Sequence, residues 1–72
     1  MNEQQRTIQT LQTADIEADD WPDCVLDNIE DKYARGFLDA KASQLNDMDM
    51  DYASEEFREE LIEVAEYEIW GK

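Results

Sequence analysis

The sequence predicts an all-α fold, either a small antiparallel helical hairpin or a three-helix bundle, closed within one chain or completed by dimerisation. Three observations carry this expectation. Apolar residues recur at helical spacing in two segments, from Val25 to Leu45 and from Phe57 to Ile69. Helix start and stop residues flank both segments. No stretch alternates apolar and polar residues as a half-buried strand would, and there is no internal repeat. At 72 residues, the chain reads as one small domain spanning 1–72.

Residues 1–14 are polar, nearly uncharged and rich in Gln and Thr. Ile8 and Leu11 give them one apolar face, as for a short helix from Glu3 to Thr13. Residues 1–19 are therefore expected as a flexible or short-helical arm, as a helix closing the core, or as an exchange element in a dimer. A clear helix start follows, with Asp20 as N-cap and Pro22 in the first turn. From there Val25, Leu26, Ile29, Tyr33, Phe37, Ala40 and Leu45 draw one stripe along a helix of about 24 residues. Gly36 lies inside that helix and costs up to about 1 kcal/mol relative to Ala. Close approach of another helix is its expected use, with a kink as the alternative.

Asn46 to Asp51 (NDMDMD) breaks the pattern, because alternating Asp and Met has no helical face. A second helix is expected from Ser54, with Glu55 and Glu56 in the turn where carboxylates favour the dipole. Phe57, Leu61, Val64, Ala65 and Ile69 form its stripe, widened by Ile62 and Trp70. Gly71 stands where a C-cap glycine would. A connection of about seven residues makes the two long helices antiparallel neighbours.

Charge excludes several function classes. Twenty Asp and Glu face six Lys and Arg, with no His, for a formal net charge of −14. Direct binding of nucleic acid or an anionic membrane is not expected, because phosphate neutralisation needs clustered bases. No apolar run approaches the roughly 20 residues that span a bilayer, and no signal peptide is evident. Without His and with one Cys, the usual zinc sites and His-dependent catalytic pairs cannot form in one chain. Cys24 has no disulfide partner, which fits a reducing, cytoplasmic setting. It reads as a small, half-buried apolar residue near a helix start. So acidic a chain approaches the composition of disorder. An apolar fraction of 42%, set at helical period, argues for a folded chain instead.

Two kinds of chemistry can be weighed from spacing. Asp47, Asp49 and Asp51 match the first three ligand positions of a calcium-binding EF-hand loop. The match ends there, because Tyr52 replaces the turn glycine and Arg58 replaces the bidentate Glu. Paired carboxylates do acid–base work only inside a shaped pocket that separates their pKa values. A short helical hairpin offers little room for one. No enzyme activity, cofactor or metal is expected.

What remains is the placement of the acids. Eight lie between Arg6 and Lys32 with no base among them, five between Lys41 and Arg58, and five more follow Arg58. Asp31, Arg35 and Asp39 form favourable i,i+4 pairs mid-helix. Elsewhere such pairs are alike in sign, as in Asp23–Asp27, Asp27–Asp31, Glu55–Glu59, Glu56–Glu60 and Glu59–Glu63. Each such pair costs about 0.2–0.5 kcal/mol, so retaining several implies a use for the field. Carboxylates four residues apart on a helix are spaced about 6 Å along its axis. That is comparable with the step between phosphates on a strand that winds while rising about 3.4 Å.

The expected function is therefore inhibition of a basic nucleic-acid-binding protein by phosphate mimicry. The expected contact residues are Asp23, Asp27, Glu30 and Asp31 on the first long helix, and Glu56, Glu59, Glu60 and Glu63 on the second. Trp21, Tyr52 and Trp70 lie at helix ends or in the loop, where a two-helix hairpin cannot bury them all. They are expected either to be covered by the N-terminal segment or a second subunit, or to serve as apolar anchors. The alternative is a structural, adaptor or antitoxin-like binding module whose acidity serves solubility or high salt. A homodimer fits either. No family motif is present, but in size, charge and helical pattern the chain resembles the small acidic inhibitors that phages make. Those act against host nucleases, restriction enzymes, CRISPR effectors or polymerases. The resemblance is one of type and assigns no residue a role.

Overall fold

Asn2 caps the first helix, its side-chain oxygen accepting from the Gln5 amide at 2.8 Å, and α1 runs Glu3–Thr13. The computed structural model describes residues 2–71, and all their regular structure is helical. After α1 come α2 (Asp23–Asp27), α3 (Lys32–Asp47) and α4 (Glu55–Glu63), the last continuing as a π-helical turn over Val64–Ile69. The radius of gyration is 11.1 Å, matching the ~11 Å of a globule this size. The N-terminal segment is therefore no free arm. Leu11 is fully buried, Thr7 is 4% exposed, and α1 packs on α4 and the π turn. No helix among the described residues is long and apolar enough to cross a membrane.

The expected single helix from Asp20 to Leu45 is in fact two. Pro22, not Asp20, occupies the N-cap of α2, with no side-chain cap bond. Asn28 ends that helix, its side-chain amide donating to the Cys24 carbonyl at 2.8 Å. Asp31 starts the next, its carboxylate accepting from Tyr33 N at 2.9 Å and Ala34 N at 3.3 Å. Short polar side chains that offer the backbone an alternative partner end and begin helices in this way. The break lets Val25, Leu26 and Ile29 stay buried while α3 rotates. α3 then buries Ala34, Leu38, Ala42 and Leu45, leaves Tyr33 and Ala40 exposed, and holds Phe37 half-buried at the edge of the core. Tyr33 is 66% exposed, and nothing lies within 4 Å of a Cβ built on Gly36. Gly36 thus serves no close approach inside this chain.

The α3–α4 connection is built by its aspartates. Asp49 adopts a positive φ of 63°, the conformation that ends many helices and that Asp tolerates better than most residues. The Met50 amide then donates to Leu45 O at 3.0 Å and the Asp49 amide to Asn46 O at 3.0 Å. Those are the two bonds of a Schellman ending. Asp51 turns the chain by accepting from Ala53 N, and Ser54 caps α4 by accepting from Phe57 N at 3.2 Å.

The core gathers Leu11, Trp21, Leu38, Phe57 and Leu61 among others, with Ile69 and Trp70 packed at its edge. Two long-range tethers fix α1 to this core. Arg58 donates to Gln12 O at 3.0 Å and Ala14 O at 2.6 Å, satisfying carbonyls at the end of α1. Gln4 donates to Ala65 O and Glu66 O, both at 3.4 Å, inside the widened π turn. Gly71 is no left-handed cap, since no described glycine has positive φ. A Cβ there would run into the Tyr67 carbonyl, so its lack of a side chain lets the chain end fold tightly over the π turn.

Candidate functional site

Asp23 is exposed in the first turn of α2. Beside it opens a cleft of roughly 400 Å³ floored by Trp21, Pro22, Leu26 and Ala42. Asp19, Asp23 and Asp39 stand around it, with Ser43, Asn46 and Tyr52 at its wall. Carboxylates over an aromatic and aliphatic floor suit a guanidinium or ammonium group, whose stem packs while its charge is paired. A second groove, roughly 140 Å³, lies between α3 and the C-terminal turn, lined by Lys41, Glu60, Glu63, Val64, Tyr67 and Glu68.

The acids expected to act together fall into separate groups. Asp27 is exposed but pairs with Arg35 at 3.2 Å, across the α2–α3 break. That pair replaces the expected Asp31–Arg35 and Arg35–Asp39 contacts. Asp31 is half-buried as the α3 cap, and Glu30 is exposed in the break, so neither continues a row with Asp23 and Asp27. On α4 the row holds better. Glu56, Glu59 and Glu63 are exposed, while Glu60 is half-buried and meets Lys41 at 3.3 Å. Asp19, Asp39 and Glu68 join these groups unannounced. Asp39 was hidden by its apparent pairing with Arg35, and only the helix break frees it to face the cleft.

The apolar anchors also divide. Trp21 is corrected from surface to core: it is 5% exposed, its indole N–H donates to Tyr52 O at 2.7 Å, and its ring meets Phe57 edge-on. Trp70 is half-buried against the core. Tyr52 is 43% exposed and also meets the Phe57 ring edge-on, at 5.1 Å. It is the most exposed of the three, with its ring resting on the buried Phe57.

Four cations are tied within the chain: Arg6 to Glu3, Arg35 to Asp27, Lys41 to Glu60 and Arg58 to Glu55. These pairs leave most of the carboxylates uncompensated. Among the described residues, no three acidic or sulfur side chains converge as a metal site would require. Asp49 and Asp51 are occupied in turn geometry instead. Burial, and then the Asp20 carboxylate, hold the half-buried Cys24 thiol above its ordinary pKa, which disfavours the thiolate. Compared with family models, curated proteins and solved structures, the chain matches none.

Proposed function

We propose that this protein is a non-enzymatic inhibitor that occupies the nucleic-acid-binding surface of a basic protein, its carboxylates standing in for phosphates. The partner class is a nuclease, a restriction or CRISPR effector, or a polymerase. The observation that carries the reading is the outer face of α4, where Glu56, Glu59 and Glu63 are exposed with no base paired to them among the described residues. Asp19 and Asp23 add a second acidic station, beside a recess with an aromatic and aliphatic floor. A groove built to attract phosphate attracts such a surface through the same long-range field.

The competing reading is an adaptor held by apolar contacts, and exposed Met48, Tyr52 and Tyr67 favour it. The two readings part on competition. With the full chain immobilised, a partner captured from its source cells at low salt should be released by excess duplex DNA or heparin, and by raised salt. Retention through both treatments would exclude mimicry and support the adaptor.

A further inference from the structure

The rotation of α3 leaves an apolar face that this chain covers only in part, with Phe37 half-buried against the core and Tyr33, Gly36 and Ala40 exposed. Tyr33 is 66% exposed, its ring meets Phe37 edge-on at 4.9 Å, and Gly36 and Ala40 lie open beside them. A mid-helix glycine weakens the helix, yet nothing in the chain comes within 4 Å of where its side chain would be. The charge on this helix differs from the rest. α3 holds Lys32, Arg35 and Lys41 against Asp39 and Asp47, and is the only described helix in which bases outnumber acids. Approaches through α2, α4 or the π turn bring two copies together acid to acid, where they repel.

Lys32 supplies the orientation. Among the described residues it is the one cation with no carboxylate at ion-pair distance. It also sits in the first turn of α3, where the helix dipole opposes a positive charge. Lys32 and Asp39 are seven residues apart, two helical turns, so they share one edge of the apolar face with Gly36 between them. In an antiparallel helix pair about a two-fold axis, residues on the same edge face each other reciprocally. An axis beside Gly36 sets Lys32 of each copy against the partner's Asp39.

We propose that two copies of this chain pair α3 to α3, antiparallel about Gly36. Tyr33, Phe37 and Ala40 are enclosed between them, and two reciprocal Lys32–Asp39 ion pairs fix the register. The glycine admits the close crossing that its own chain does not use. The acids of α2 and α4 then remain outward on both copies, independently of what they bind.

The test is sedimentation equilibrium of the full chain near 0.15 M ionic strength, where charges beyond about 8 Å are screened. Lys32→Asp alone and Asp39→Lys alone each turn two attractive pairs repulsive, raising the dimer dissociation constant by about tenfold or more. Lys32→Asp also puts a carboxylate where the helix end favours one, so lost dimer does not reflect lost fold. The double exchange, Lys32→Asp with Asp39→Lys, restores the pairs and should return the constant to within about threefold of the original. A chain that stays monomeric to roughly millimolar concentration would leave the face to a different protein and overturn the pairing. Single exchanges without effect, or a double exchange that fails to recover, would overturn it equally.

Discussion

Phe57→Ala is expected to unfold most of the protein at 25 °C. Phe57 is fully buried at the start of α4, with the Trp21 and Tyr52 rings edge-on to it at 6.4 Å and 5.1 Å. Removing a buried phenylalanine ring costs about 3–5 kcal/mol through lost transfer energy and the cavity left behind. A core in a chain this small rarely supplies more than about 3–5 kcal/mol in total, and self-repulsion at a net charge of −14 opposes compaction further. The two quantities are equal in size, so the substitution removes nearly all the margin. Phe57→Leu keeps much of the volume and should retain a cooperative transition at lower temperature. Thermal unfolding followed by circular dichroism separates the cases. A Phe57→Ala protein that melts within a few degrees of the original would mean that the three aromatic rings do not organise the core.

Arg58→Met carries the second large effect, through polar contacts instead of volume. The guanidinium spans two carbonyls at the end of α1, Gln12 at 3.0 Å and Ala14 at 2.6 Å, and meets Glu55 at 3.5 Å. Hydrogen bonds involving a charged group contribute about 1.5–3 kcal/mol each. The side chain also places a positive charge at a helix C-terminus, which the dipole favours. Met preserves the aliphatic stem, so the loss reads mainly the polar contacts, about 3 kcal/mol or more for the two bonds. Lys cannot span both carbonyls with one ammonium group, and Arg58→Lys should recover only part of the loss. Amide hydrogen exchange gives the sharper readout, because α1 should open before α3 and α4. Uniform loss of protection across all helices would contradict a tether specific to α1.

The same arginine illustrates what could be read in advance. At the sequence level Arg58 argued only against a calcium loop, since its value depends on carbonyls 44 and 46 residues away. α1 was legible as a helix from Ile8 and Leu11, and the start of α4 at Ser54 from the two glutamates that follow it. The α2–α3 break was written locally in Asn28 and Asp31, but the apolar period ran through it and masked it. That masking misplaced Tyr33 and Ala40 in the core and Asp31 on an acidic face, while Phe37 reaches only the core's edge. Trp21 was legible as either a covered residue or an exposed anchor, because a two-helix hairpin alone has nothing to cover it. The Phe57 ring and the Tyr52 carbonyl supply the partners of the buried indole. The acids of α4 needed only a regular helix, so Glu56, Glu59 and Glu63 kept their expected exposure.

The central claim is that uncompensated carboxylates, and not apolar contact, bind the partner. Once a partner has been captured, the deciding measurement is its affinity across a salt series, for the original chain and for a variant carrying Asp23→Asn, Glu56→Gln, Glu59→Gln and Glu63→Gln. Each change keeps shape and removes one exposed charge. The expected result is steep weakening with salt for the original chain, and for the variant an affinity lower by about a hundredfold or more at low salt with a much shallower slope. Equal affinity and equal, flat salt dependence for both proteins would contradict the account.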